Sequence, residues 1–202
     1  MRTGQLRGTD QWLMDLAEDP GYARALASKV TDHLIQIGLE QLRRDNLYAT
    51  GLWIFDDIAG NQGMVMSPRT YEKIFYPCVA KMVKAWKAAG AAKVLMHSDG
   101  NIEAVLDLFV AAGIDAVNPV EPKAGMNLER LRKKYDKRLA FVGGMCNARV
   151  LPQGSREEIQ NHVQSILELG QDGGVVLAAH SIGSDISVEH YDWAMAAYRK
   201  YR

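Results

Sequence analysis

Val94-Leu95-Met96-His97-Ser98-Asp99-Gly100 is the stretch on which the fold turns. Three apolar residues in a row, with no polar alternation, suit a strand buried on both faces, as the strands of a parallel sheet are. The run then stops at an imidazole, a hydroxyl, a carboxylate and a glycine. The same pattern recurs on either side. Leu52-Trp53-Ile54-Phe55 stops at Asp56-Asp57, and Ala116-Val117 is followed by Asn118-x-x-Glu121. Leu139 to Val142 runs into Gly143-Gly144-Met145-Cys146-Asn147, and Val175-Val176-Leu177 leads to His180-Ser181.

Helical patterns separate these runs. Leu26, Val30, Leu34 and Ile37 recur at spacings of four, four and three, predicting a helix over about 21–43. Ser67 caps a second helix with Pro68 at its first position, and Tyr71, Phe75, Cys78, Met82 and Trp86 form one stripe that Pro77 should kink. Asn101 to Ala112 and Leu128 to Tyr135 follow. The box Ser155-x-x-Glu158 opens a helix with Ile159, Val163 and Ile166 on one face, and Val188 to Lys200 closes the chain with Trp193, Ala196 and Ala197 inward. Strands alternating with helices at this spacing predict an α/β fold of parallel β/α units. Five units are too few for a closed eight-stranded barrel of about 250 residues. The expectation is therefore one domain over residues 1–202, an open sheet or an incomplete barrel, whose apolar edges are covered by another copy in a homo-oligomer.

Composition narrows the function. The 202 residues are 48% hydrophobic and 24% charged, ordinary for a globular chain, and 24 Lys+Arg balance 24 Asp+Glu. With no net field of one sign, nucleic acid and acidic membranes are disfavoured as partners. No apolar run approaches the ~20 residues needed to span a bilayer, and the N-terminus lacks a signal-like segment. Two cysteines, Cys78 and Cys146, form no C-x-x-C pair, which fits a reducing cytoplasm.

In parallel β/α folds the loops after the strands converge on one rim, where the chemistry gathers. All five strand ends here carry an acid, an imidazole or a thiol. His97 and Asp99 stand two apart, so both side chains point the same way and, with His180, offer two imidazoles and one carboxylate to a zinc or other divalent cation. Equally, Asp99 accepts from a loop amide and His180 touches substrate with no metal present. Asp56 and Asp57 suit a substrate cation or proton transfer if one pKa is raised, or form a solvated turn. Cys146 reads first as packing, Cys78 as core, and His33 as a hydrogen-bonded core or edge histidine. His162 and His190 fall on outer helices and receive no role. Gly60-x-x-Gly63 lacks both the lysine of a phosphate loop and the spacing of a dinucleotide fingerprint, so no nucleotide cofactor is expected.

Four segments together resemble the uroporphyrinogen decarboxylase superfamily. They are Arg7-Gly8-Thr9-Asp10-x-Trp12-Leu13-Met14-Asp15-Leu16-Ala17-x-Asp19-Pro20; Asp56-Asp57 with Gln62-Gly63 and Ser67-Pro68; His97-Ser98-Asp99-Gly100; and Ala179-His180-Ser181-Ile182. The resemblance implies a (β/α)₈ TIM barrel, of which this chain matches the later part, with about three β/α units absent. It spans the haem-pathway decarboxylases and the corrinoid-dependent methyltransferases. The decarboxylases take their substrate-carboxylate arginines and a key aspartate from the part with no counterpart here. In the methyltransferase branch zinc is held by a His-x-Cys pair and a later Cys, and the matching positions are His97, Asp99 and His180, with oxygen and nitrogen in place of thiolates.

The resemblance thus implies a methyltransferase-like protein working with a corrinoid partner. Asp56, Asp57, His97 and His180 would be catalytic, and Gln62, Asn118, Glu121, Cys146 and Ser181 would contact a small-molecule or tetrapyrrole substrate. The alternatives it leaves are a uroporphyrinogen-type carboxy-lyase, with Asp56 or Asp57 stabilising a protonated pyrrole, and a non-catalytic binding subunit.

Overall fold

The computed structural model describes residues 2–202. Helices α1 (Arg2–Arg7), α2 (Thr9–Glu18) and α3 (Pro20–Asp45) lead into β1 (Leu52–Phe55). A small hairpin follows, β2 (Ala59–Gly60) and β3 (Gly63–Met64), then α4 (Pro68–Ile74) and α5 (Tyr76–Ala88). Next come β4 (Val94–His97), α6 (Leu106–Ala112), β5 (Ala116–Asn118), α7 (Leu128–Tyr135) and β6 (Ala140–Met145). The chain ends with α8 (Val150–Gln153), α9 (Arg156–Leu169), β7 (Val175–Ala179) and α10 (Val188–Tyr201). Among the described residues, β1, β4, β5, β6 and β7 form one sheet in that order, every neighbouring pair parallel. Among the described residues no helix is long and apolar enough to cross a membrane.

Local chemistry explains the element ends. Asp19 caps α3 by accepting from the Tyr22 amide, Pro20 fills its first position, and Asn46 ends it in the left-handed conformation at φ 53°. Ser67 caps α4 through the Thr70 amide. Ser155 and Glu158 close the reciprocal capping box of α9 that the sequence predicts.

The strands show one departure from expectation. Leu52, Ile54, Val94, Met96, Val117 and Phe141 are buried on the side facing the helices, where Val79, Met82, Trp86 and Phe109 meet them. On the other side Trp53, Phe55 and Val176 stay exposed. The reading of all five strands as buried on both faces therefore fails at β1 and β7. The reason is architectural: among the described residues helices cover one face, and no second layer lies over the other.

Four smaller expectations also change. The helix over Ser67–Gly90 is two helices, because Pro77 lacks an N–H and fits only the first turn of a new one, α5. On α3 the deepest stripe is Ala23, Ala27, Thr31, Ile35, Gly38 and Leu42, with Leu26, Val30 and Leu34 only half-buried and Ile37 and His33 exposed. A Cβ on Gly38 would lie 2.4 Å from the Trp86 ring, so small residues set the distance between α3 and α5. Cys78 is half-buried rather than core, and burial pushes its thiol pKa up. On α10 Ala197 is buried and Trp193 half-buried, but Ala196 is exposed.

Candidate functional site

Parallel register carries the first site residues into one row. Phe55 pairs with His97, and His97 with Asn118, so their side chains project from the same, open face of the sheet. The His97 ring lies 4.8 Å from the Phe55 ring and 6.2 Å from the His180 ring, centroid to centroid.

The loop after β4 is clamped from both sides. Ser98, fully buried, accepts from the Ile58 amide at 3.1 Å, and its own N–H donates to the Asn118 carbonyl at 2.8 Å. The Asp99 amide donates to Asp57 Oδ1 at 3.0 Å, and the Gly100 amide to Glu121 Oε2 at 2.8 Å. Gly100 sits at φ +81°, and a Cβ there would fall 2.5 Å from the Gly60 carbonyl oxygen, so only glycine lets the loop lie against the hairpin. The peptide bond joining Asn118 and Pro119 is cis.

These contacts bring His97, Asp99 and His180 together, each offering one ligand atom, all within 4.8 Å of one another. Asp99 Oδ1 lies 3.1 Å from His180 Nε2 and 3.4 Å from His97 Nε2, and Asp57 Oδ1 is 3.9 Å from the latter. Asp99 Oδ1 is nonetheless buried without a hydrogen bond. A buried carboxylate oxygen facing two imidazole nitrogens is costly unless a proton or a cation lies among them. The donor set, two nitrogens and one oxygen, suits a borderline divalent cation such as Zn²⁺, Fe²⁺ or Mn²⁺.

The remaining expected residues divide. Glu121 is buried beside the cluster, its Oε1 3.7 Å from His180 Nδ1 and 3.3 Å from Lys123 Nζ. Asn118 hydrogen-bonds His97. Asp56 leaves the pair it forms in sequence: it lines a small cavity of about 60 Å³ with Thr31, Phe55 and Cys78, whereas Asp57 faces Asp99 and His97. Gln62 is exposed at the tip of the hairpin. Ser181 is held by the Asn147 amide, which donates to its Oγ at 3.1 Å and its carbonyl at 3.3 Å. Cys146 is buried at the end of β6. Burial pushes its thiol pKa up, but the Val150, Ala148 and Arg149 amides and the Arg149 charge bring it below its ordinary value.

One histidine without an expected role has a definite place. His162 Nε2 lies 3.1 Å from both the Cys146 amide and the Gly144 carbonyl, directly beneath the turn that ends β6. Its position three after Ile159 and four before Ile166 puts it on the buried face of α9, a signal present in the sequence. His190 instead meets the Leu151 carbonyl at 2.6 Å and stacks on Trp193.

Parallel β/α units with polar side chains gathered at the strand C-terminal ends define a protein of the TIM-barrel type, here an incomplete barrel. The chain belongs to the uroporphyrinogen decarboxylase (URO-D) family, whose model it matches over residues 1–201. Among solved structures it is similar to a methyltransferase from Methanosarcina mazei, at 16% identity and a TM-score of 0.78, over 98% of this chain. The match takes in 55% of that protein, so the chain spans about half its length. No curated protein matches the sequence.

Proposed function

We propose that this chain is a methyltransferase-like member of its family, in which His97, Asp99 and His180 hold a divalent cation and a corrinoid protein is the methyl partner. The observation that carries the reading is the convergence of three donor atoms within 4.8 Å around an oxygen that has no hydrogen bond. The likeness to a methyltransferase supports the same branch.

A divalent cation bound there would act as a Lewis acid, lowering the pKa of a thiol or water that becomes a methyl acceptor. The chain's own residues do the rest. Asp57, with an exposed carboxylate beside His97, is placed to take the acceptor's proton. Phe55 and Trp53 stack at 5.9 Å and offer an apolar wall next to His97, which suits a methyl group and a large flat cofactor. A carboxy-lyase would use Asp56 or Asp57 to stabilise a protonated pyrrole; of the two, Asp57 faces the cluster and Asp56 lines the small cavity.

The test is calorimetric titration of chelator-stripped protein with Zn²⁺, paired with loss of the methyl group from methylcobalamin to an alkyl thiol, followed by absorbance. Zn²⁺ heat that vanishes in His97→Ala and Asp99→Ala, with methyl loss that requires the metal, is expected. Equal heats in all three proteins, or methyl loss indifferent to metal, would overturn the reading.

A further inference from the structure

The same geometry fixes something the ligand set leaves open, namely which nitrogen of the His97 imidazole carries the proton. His97 Nδ1 lies 2.7 Å from Asn118 Oδ1. That oxygen is identified by the other half of the amide, because Asn118 Nδ2 donates to the Val142 carbonyl at 3.1 Å. Turning the amide over would set its oxygen against a carbonyl oxygen and its NH₂ against a ring nitrogen, losing one bond outright. Asn118 therefore accepts, His97 Nδ1 carries the hydrogen, and Nε2, 3.4 Å from Asp99 Oδ1, is left without one.

His180 is not held in the same way. Its Nε2 lies 3.1 Å from Asp99 Oδ1, and its Nδ1 faces Glu121 Oε1 at 3.7 Å. Glu121 is buried, and its Oε2 is already bound to the Gly100 amide. Its Oε1 has no hydrogen bond within the protein, although Lys123 Nζ approaches to 3.3 Å. At 3.7 Å Glu121 makes no hydrogen bond to His180, so a partner fixes the tautomer of His97 and not that of His180.

We propose that Asn118 is a positioning residue that holds His97 in the Nδ1–H tautomer, so that its Nε2 is left without a hydrogen beside Asp99. Free histidine in water prefers the hydrogen on Nε2, so this tautomer marks an imposed orientation. In proteins generally the hydrogen bond made by one ring nitrogen sets what the other can do, and such outer partners govern ligand affinity. The proposal replaces substrate contact by ligand orientation as the role of Asn118. It rests on the cation reading above only for its purpose, since the tautomer itself is a property of the metal-free chain.

The experiment is long-range ¹H–¹⁵N correlation of the histidine rings in metal-free full-length chain near pH 8, about 1.5 units above the ordinary imidazole pKa of ~6.5. Wild-type His97 is expected to show a protonated Nδ1 and a bare Nε2. Asn118→Ala should shift His97 toward Nε2–H and weaken Zn²⁺ binding by about 10- to 100-fold. Asn118→Asp, which keeps the acceptor but loses the donor to the Val142 carbonyl, should retain the tautomer, while unchanged His162 and His190 signals report an intact fold. His97 found with Nε2–H in the wild type, or unaltered in Asn118→Ala, would overturn the proposal. A wild type that binds no Zn²⁺ yet shows an Asn118-dependent Nδ1–H tautomer would sink the cation reading and uphold this one.

Discussion

The centre of the sheet and its two edges are built from similar residues and behave differently. In β5 and β6, Val117 and Phe141 are fully buried, whereas β1 exposes Phe55 by 59% and β7 exposes Val176 by 57%. Both sets are large and apolar. What separates them is which face of the sheet they occupy, because helices α3 to α9 cover one face and the other is bare. The polar cluster stands where the two regimes meet. His97 projects from the open face, and Ser98 beside it is fully buried against the hairpin. Rigidity at this rim comes from β4 to β6, and solvent access from the bare face.

The contrast is broken most sharply by the same change made on the two faces. Phe141→Ala should cost about 3–5 kcal/mol, from lost burial and the cavity left beside Tyr135. Phe55→Ala should stay within about 0.5 kcal/mol, since its ring is already solvated. Urea denaturation midpoints at constant slope measure both. Comparable losses would mean that β1 is covered in solution and that the two regimes are one.

A somewhat smaller effect sharpens the packing side. Gly38→Ala places a methyl 2.4 Å from Trp86, whose Nε1 also donates to the Ile35 carbonyl at 3.2 Å, so the ring is not free to yield. Overpacking of this kind costs about 1–3 kcal/mol. Gly60→Ala, with no heavy atom within 4 Å of the new Cβ, is the control and should leave the thermal midpoint nearly unchanged. A Gly38→Ala variant as stable as the control would show that α3 and α5 slide apart readily.

These contrasts mark how far the sequence could be read. Strand positions were legible because Val94-Leu95-Met96 and its counterparts are short, apolar and bounded by polar residues. The convergence of His97, Asp99 and His180 was legible because strand ends share a rim in any parallel β/α array. Which face each strand leaves bare was not, since an apolar run looks the same whether one or both sides are covered. On α3 the visible periodicity belongs to Leu26, Val30, Leu34 and Ile37, whereas the deepest stripe includes Ala23, Ala27 and Gly38, the last of which lets Trp86 of α5 approach. The part played by Asn118 depended on register between β5 and β6 and on an amide orientation, neither of which leaves a trace in spacing. Asp56 and Asp57 were adjacent in sequence and opposite in direction, as successive residues leaving a strand are.

The smallest effect tests the underside of the rim, where His162 props the turn that ends β6. Burial holds its imidazole pKa below the ordinary value, against the Gly144 carbonyl, which favours the protonated form, while the Arg149 charge lowers it further. The folded protein therefore binds this proton less readily than the unfolded chain does. Stability contributed by neutral His162 is present above the unfolded imidazole pKa of ~6.5 and is lost as the pH falls toward the lower folded value. His162→Gln keeps an amide able to meet the Cys146 N–H or the Gly144 carbonyl and removes the titration. The wild type should thus lose more stability than His162→Gln on going from about pH 7.5 to about pH 5.5, a window around the ordinary imidazole value. Denaturant melts of both proteins at the two pH values give the difference directly, and the other titrating groups cancel between them to first order. Parallel pH profiles would mean that His162 takes up its proton without cost, and that the turn carrying Cys146 is as open to water as the bare face of the sheet.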